Sequence, residues 1–142
     1  MLARRELSEA QVRQRLVRRE HNPAAIDFAI ARLRDERAID DARTAAAIAR
    51  TETGLKRRGR LRVRQQLTKA GISVSTARAA TDEVFADLDE DALIEAALAK
   101  RLRHGRTVAD DREFARLYRY LMAQGFESDR VVKTLTLRRA RE

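Results

Sequence analysis

A segment of eighteen residues, 54–71, has the composition of a site that binds anions. It contains seven lysines and arginines and no acid, and the nearest acids are Glu52 before it and Asp82 after it. Guanidinium and ammonium groups recognise phosphates and carboxylates through charge-assisted hydrogen bonds. Because no acid interrupts the segment, we expect its cations to be unpaired within the chain and available to a partner. The candidate binding residues are Lys56, Arg57, Arg58, Arg60, Arg62, Arg64 and Lys69, with Arg4 and Arg5 in a smaller second group.

Residues suited to catalysis or metal binding do not form such a group. His21 and His104 have no neighbouring Ser or Cys and no metal-ligand spacing, which is typical of turn or surface histidines. The acidic pairs Asp40–Asp41 and Asp110–Asp111 open predicted helices, where carboxylates cap the helix and favour its positive end. The phosphate-binding patterns GxxxxGK[ST] and GxGxxG are absent. The sequence therefore predicts no catalytic residue, no metal and no cofactor, and a protein that is not an enzyme.

The composition predicts an all-α protein. The 142 residues include one proline, five glycines and only 4% aromatic residues, and Ala, Leu, Arg and Glu replace the β-branched alternation of strands. Cysteine is absent, which excludes disulfides and fits a reducing cytoplasm. We see no signal peptide and no apolar run of the roughly 18–20 residues that a membrane span needs. The net charge of +9 favours a polyanionic partner, either nucleic acid or an acidic protein.

A short helix between two glycines must position the basic segment. Val63, Leu67 and Ala70 recur at i, i+4 and i+7, which predicts one apolar stripe. Gly71 supplies the left-handed residue that ends such a helix, and the loop 54–59 brings Lys56, Arg57 and Arg58 to its start. The stripe is flanked by Arg60 and Arg64 on one side and by Arg62 and Lys69 on the other.

Helix-start signals place the other elements along the chain. Ser8 and Gln11 have capping-box spacing, and Asn22–Pro23 combines a capping side chain with a proline in the first turn. Ser73 and the two acidic pairs start further helices. A helix over 92–103 follows an acidic stretch, and the last helix carries Val131, Val132 and Leu135. The basic tail 138–141 is expected to fray.

The chain repeats itself at intervals of roughly fifty residues. Four sets of positions are equivalent. The first two are the apolar pairs Val12/Leu16, Val63/Leu67 and Leu117/Leu121, and the helix-end positions Glu20, Gly71 and Gly125. The other two are the helix starts Asn22, Ser73 and Glu127, and the positions four residues further on, Ile26, Ala77 and Val131. The register predicts three units of three helices each, over 1–39, 40–88 and 89–142. The leading helix of the first unit is reduced to a stub at 1–7. Such units stack into an elongated, curved array with an extended binding surface.

Several segments, taken in this order, resemble regulatory proteins of the RecX family, which modulate the RecA recombinase. The similar segments are Leu2–Ser8, Leu16 with Asn22–Pro23, Leu33–Arg43, Arg62–Ile72 and Leu121–Phe126. The match as a whole extends over essentially the whole chain. The resemblance implies three tandem helix-turn-helix-like units in a cytoplasmic monomer that is not an enzyme. It also implies binding along the groove of the RecA–DNA filament, restraint of strand exchange and ATP hydrolysis in DNA repair and the SOS response, and secondary contact with single- or double-stranded DNA.

Three other interpretations stay open on the sequence alone. The chain could be a stand-alone nucleic-acid-binding helical module that acts on DNA phosphates without RecA. It could be a scaffold for another acidic protein. The basic segment could also be a solvated helix surface in an arginine-rich protein. The residue types do not separate phosphate contacts from contacts with acidic side chains of RecA.

Overall fold

The computed structural model describes residues 6–102 and 107–139, and within these ranges the chain is all-α. It forms eight helices: α1 (Glu9–Arg18), α2 (Pro23–Asp35), α3 (Asp41–Gly54), α4 (Arg60–Lys69), α5 (Val74–Ala86), α6 (Glu90–Ala99), α7 (Asp111–Ala123) and α8 (Ser128–Leu137). The predicted fold class is confirmed. Among the described residues, no helix combines the length and the apolarity needed to cross a membrane.

Most helices begin at the capping residues that the sequence predicts. Ser8 and Gln11 form a complete capping box at the start of α1, and Asn22 accepts the Ala24 N–H at the start of α2. Asp40, Ser73 and Asp110 cap α3, α5 and α7 in the same way. The predicted helix over 92–103 is wrong at both ends, since α6 runs from Glu90 to Ala99. It begins earlier because the Asp89 carboxylate accepts the Ala92 N–H.

The helices pack in three groups along the chain. In the first group α1 packs on α2; in the second, α3, α4 and α5 pack on one another; in the third, α6, α7 and α8 do so. The second and third groups each enclose an apolar core, and Leu93 packs against both cores. The core of the second group, the second core, consists of Ala45, Ala49, Val63, Leu67, Ala70, Ile72, Ala77, Ala80 and Phe85. The core of the third group, the third core, consists of Ile94, Leu98, Val108, Leu117, Leu121, Phe126, Val131 and Leu135.

The predicted register matches the backbone. Glu20, Gly71 and Gly125 all have positive φ, of 60°, 81° and 96°. Each is followed within two residues by the N-cap of the next helix, which is Asn22, Ser73 or Glu127. Four residues further on, Ile26, Ala77 and Val131 are all buried. The three copies therefore share one local fold, although only two of them have glycine at the left-handed position.

Helices α1, α4 and α7 hold equivalent places in the three copies, and the start of each of the first two meets the end of the next. The Gly59 N–H at the start of α4 donates to the carbonyl of Gln124 at the end of α7 (2.8 Å), and the Leu61 N–H donates to the Gly125 carbonyl (2.9 Å). One copy earlier, the Ser8 hydroxyl at the start of α1 donates to the carbonyl of Ala70 at the end of α4. Helices α7, α4 and α1 therefore follow one another through the molecule.

The surface area agrees with such an arrangement. The chain exposes 10268 Å², whereas a compact monomer of 16.2 kDa exposes about 7,500 Å². Tandem units expose more surface than one sphere of the same mass because each unit contacts only its neighbours.

The structure of both chain ends differs from what the sequence predicts. Arg138 pairs with Glu95, and Arg139 pairs with Asp111 while its guanidinium lies 5.5 Å from the centre of the Phe114 ring. The prediction that the tail frays is wrong for these two residues, and 140–142 lie outside the described ranges. Residues 6 and 7 are not helical, and the rest of the predicted stub, 1–5, is likewise outside.

Candidate polyanion-binding surface

Helix α4 has the buried stripe that the sequence predicts. Val63 and Leu67 are fully buried and Ala70 is 8% exposed, so this stripe is part of the second core. Gly59, the N-cap, lies against the backbone of the third group: a Cβ on Gly59 would come within 2.5 Å of the Gly125 carbonyl. The basic segment is therefore held on a helix that is fixed both by its core and by its start.

Two of the seven cations have internal partners, which corrects the expectation that all of them are unpaired. The Lys56 ammonium lies 3.3 Å from the carboxylate of Glu52, whose side chain is only 6% exposed. A buried carboxylate needs a nearby cation. Lys56 therefore neutralises the nearest acid before the segment, one turn back along α3.

Arg60 is the second internally paired cation. Its guanidinium lies 2.6 Å from Asp82, 3.7 Å from Glu90 and 3.9 Å from Glu127. It also lies 5.1 Å from the centre of the Phe85 ring. Asp82 belongs to the second group, whereas Glu90 and Glu127 belong to the third. Arg60 thus joins two groups, and its charge is already offset by carboxylates of the chain itself.

The other five cations of the segment form no ion pair and no side-chain hydrogen bond within the described part of the chain. Arg57 is exposed and has a positive φ of 52°. Arg58 and Arg62 are half-buried, and the Nε atom of each is buried without a hydrogen-bond partner, so their stems contribute packing as well as charge. We name these five residues the α4 surface: Arg57, Arg58, Arg62, Arg64 and Lys69.

The smaller N-terminal group is only partly within the described residues. Arg4 and Arg5 lie outside them. Of the nearby arginines on α1, Arg13 pairs with Asp27 of α2 at 2.8 Å. Arg13 also lines a hollow that it shares with Lys69 of the α4 surface.

Both acidic pairs lie at helix starts, as predicted. Asp40 accepts the Arg43 N–H at the start of its own helix, while Asp41 accepts the Glu9 N–H at the start of α1 (2.8 Å). Burial raises the pKa of the Asp41 carboxyl, the neighbouring Asp40 raises it further, and Arg34 opposes both. In the second pair, Asp110 caps α7 and Asp111 bonds Arg139.

No metal centre is formed by the residues that the structure describes, since no group of three or more His, Cys, Asp or Glu side chains among them could hold a metal ion. An open groove of ≈ 600 Å³ runs beside α4, between the first and second groups. Its two carboxylates are already paired, Glu6 with Arg43 at 2.6 Å and Glu52 with Lys56. The groove therefore has no unpaired carboxylate that could bind a metal ion.

The third helix of each unit would enter the DNA groove if the units acted as helix-turn-helix domains. On α5, the exposed charged residues are Arg78, Asp82 and Glu83, two acids and one cation. This helix lacks the basic face that phosphates require. The cations of the second group lie on its second helix instead.

One set of cations was missed in the sequence. Arg112, Arg116 and Arg119 recur at i, i+4 and i+7 on α7, and all three are exposed. The spacing was visible, but Asp110, Asp111 and Glu113 are interspersed with these arginines, and the segment did not stand out as acid-free.

Three family models match the chain, each once: the model of the first three-helix domain of RecX over 1–33, that of the second over 40–80 and that of the third over 89–135. Proteins named regulatory protein RecX are also similar. That of Halorhodospira halophila is 33% identical over 92% of this chain and 79% of its own length, and that of Leptothrix cholodnii is 35% identical over 96% and 83%.

Two crystal structures of RecX proteins have the same fold. One, from Lactobacillus salivarius, superposes with a TM-score of 0.76 at 18% identity over 93% of this chain and 87% of that one. The other gives 0.75 at 22% identity, over 92% and 64%. The domain matches, the similarity over nearly the whole chain and the shared fold agree with one another, and the chain belongs to the RecX family of regulatory proteins.

Proposed function

We propose that this chain is a non-enzymatic regulator of RecA that binds the RecA–DNA filament in the cytoplasm and restrains its ATPase and strand-exchange activity. Family membership supports the choice of partner. The main support for binding through cations is the α4 surface, where five cations of one short segment lack partners within the described residues. Unpaired neighbouring cations repel one another, so an anionic partner that neutralises them gains binding energy.

The partner surface must be extended and negatively charged. A RecA–DNA filament presents repeating protein subunits and DNA phosphates along a groove, and tandem helical units suit a ligand of that shape. The end-to-end contacts of the helix groups keep the α4 surface at a fixed position between the first and third groups. We therefore infer that α4 faces the filament and that the first and third groups extend the contact on either side.

The RecA ATPase on single-stranded DNA tests this proposal. We expect ATP hydrolysis to fall at amounts of the protein far below one molecule per nucleotide, since a protein lodged on the filament acts on many subunits. Added free DNA should leave that inhibition largely intact. If inhibition requires enough protein to coat the DNA, vanishes with excess DNA and is reproduced by an unrelated single-strand-binding protein, the chain is a nucleic-acid-binding module and RecA is not its target.

A further inference from the structure

A second cationic surface lies on the third helix group. Arg112 and Arg119 are exposed and take part in no ion pair among the described residues, and Arg116 is 54% exposed with one contact, to Glu113 at 3.7 Å. Lys100, just after α6, is exposed and lines a hollow of ≈ 560 Å³ together with Arg101, Glu113 and Arg116. We name Lys100, Arg112, Arg116 and Arg119 the α7 surface.

The acids close to this surface are already engaged. Asp110 accepts the Glu113 N–H, and Asp111 bonds Arg139. Glu113 accepts the Ala109 N–H at 3.1 Å. Arg101 is also held internally, with its guanidinium 4.1 Å from the centre of the Tyr120 ring. Asp111 is neutralised by Arg139, so the four cations of the α7 surface face only the charges of Asp110 and Glu113 and keep an excess of positive charge.

The α7 surface leads into the α4 surface through the junction between the two helices. The backbone of Gly125, at the end of α7, lies directly against Arg62, because a Cβ on Gly125 would come within 2.2 Å of the Arg62 Cβ. The repeat register also makes Arg58 the counterpart of Arg112, and Arg62 the counterpart of Arg116. Two cations of each surface thus occupy equivalent positions of two successive units.

The spacing of these cations suits a linear polyanion with a regular charge repeat. Arginines at i and i+4 lie about 6 Å apart along a helix axis. The two helices together span at most about 35 Å, the length of roughly ten stacked nucleotides at 3.4 Å each. A single strand of this length carries about ten phosphates, so one strand can offer an anion to the cations of both helices.

We propose that the α7 surface is a second binding site for nucleic-acid phosphates, and that one strand of about ten nucleotides contacts the α7 and α4 surfaces together. The proposal goes beyond the proposed function, because it assigns a second site and requires no RecA. A strand too short to reach both surfaces should bind either one, and only weakly.

Binding of labelled oligothymidylates of twenty and four nucleotides, without RecA, tests the proposal. In the R112A/R116A/R119A variant, affinity for the long strand should fall by about 10–100-fold, because simultaneous engagement of two surfaces is lost. Affinity for the short strand should fall by no more than about twofold, since the α4 surface remains available. The slope of log affinity against log salt should decrease by about 2, from three lost contacts at roughly 0.7 each.

Matched variants keep the result interpretable. R50A/R78A/K133A removes three exposed cations from the first and third helices of the units, and should bind both strands like the wild type. R112K/R116K/R119K keeps the charges and should retain most of the affinity for the long strand, which excludes a loss caused by misfolding.

Three outcomes would overturn the proposal. Equal losses for the long and short strands would show that the two surfaces do not share one strand. A loss no larger than that of R50A/R78A/K133A would show that the α7 surface is a solvated face. If the wild type lacks salt-dependent affinity for either strand, while the alanine triple variant binds RecA filaments less well, the surface docks protein instead.

Discussion

Gly59 donates its backbone N–H to the carbonyl of Gln124 at 2.8 Å, and through this hydrogen bond the start of α4 is capped by the end of α7. Helix ends leave unpaired N–H groups at one end and unpaired carbonyls at the other. Here two helices satisfy each other, with the negative end of one next to the positive end of the next. The Ser8 hydroxyl and the Ala70 carbonyl form the equivalent contact one unit earlier.

The junction predicts that Gly59 tolerates no side chain. A Cβ there would lie 2.5 Å from the Gly125 carbonyl and 2.6 Å from the Phe126 nitrogen, and backbone atoms cannot move away as a flexible side chain can. We expect Gly59→Ala to lower the free energy of unfolding by about 1–3 kcal/mol, as overpacking does. Urea unfolding measures this value.

Gly54→Ala is the matched control for that experiment. No atom lies within 4 Å of a Cβ at Gly54, which is the last residue of α3. Alanine there should leave the stability unchanged or raise it by up to about 1 kcal/mol through helix propensity. Equal effects of the two substitutions would mean that the contact between Gly59 and Gly125 does not hold the units together.

A glycine at position 20 should stabilise the chain. Glu20 has φ 60°, in the left-handed region where Gly71 and Gly125 stand in the other copies, and this conformation costs an L-residue about 1 kcal/mol. Relief of that cost is partly offset by the greater freedom of glycine in the unfolded chain. We expect Glu20→Gly to raise the free energy of unfolding by about 0.5 kcal/mol, whereas Gly71→Ala should lower it. A destabilised Glu20→Gly protein would contradict the shared register.

Arg60 should matter for stability more than its neighbour Arg64. Arg60→Ala leaves Asp82, Glu90 and Glu127 without their shared cation. Because the Arg60 side chain is a quarter exposed, we expect a loss of about 1–2 kcal/mol, below that of a fully buried pair. Arg64→Ala should cost less than about 0.5 kcal/mol. Thermal melts of both variants at low and high salt test this, and similar melting temperatures for the two would refute the role of Arg60 at the junction.

Asp41 should make stability depend on pH in an unusual direction for an acid. Its pKa is raised in the folded chain, chiefly by burial. There is therefore a pH window between the ordinary pKa near 3.8 and the higher pKa of the folded chain. Within this window the folded state binds more protons than the unfolded state. Stability contributed by protonated Asp41 is full below that window and is lost as the pH rises through it. Urea unfolding from about pH 3.5 to 6.5 should show this loss in the wild type relative to Asp41→Asn. If the two proteins change in parallel across the window, the assignment is wrong.

Local patterns predicted most of the fold because capping and periodicity are short-range. The Val63/Leu67/Ala70 stripe, the cap at Ser8 and the left-handed glycine at position 71 each depend on residues a few positions apart. The same reasoning failed for Arg60, whose carboxylate partners Glu90 and Glu127 are distant in the sequence and come close only when the second and third groups pack. Charge counting within one segment cannot detect such partners.

The candidate site was predictable only in part for a related reason. An acid-free segment marked the α4 surface, but Lys56 is paired with a buried carboxylate one turn away. The arginines of α7 were hidden by neighbouring acids, whereas the structure shows that Asp111 is paired with Arg139 and that Glu113 accepts a backbone N–H. Net charge along a segment therefore differs from the charge that a folded surface offers to a partner.

The binding of this protein to RecA filaments on single-stranded DNA, compared between the wild type and R57A/R64A/K69A, tests the central claim most directly. These three residues have no internal partner among the described residues, and the variant spares the packed stems of Arg58 and Arg62. Loss of three charge contacts of roughly 0.5–1 kcal/mol each should raise the half-saturating concentration at least about tenfold and reduce its salt dependence, with inhibition of the ATPase weakened in parallel. R50A/R78A/K133A should bind like the wild type. If R57A/R64A/K69A folds normally and binds and inhibits the filament with unchanged affinity and salt dependence, the α4 surface does not dock on RecA–DNA and the account is wrong.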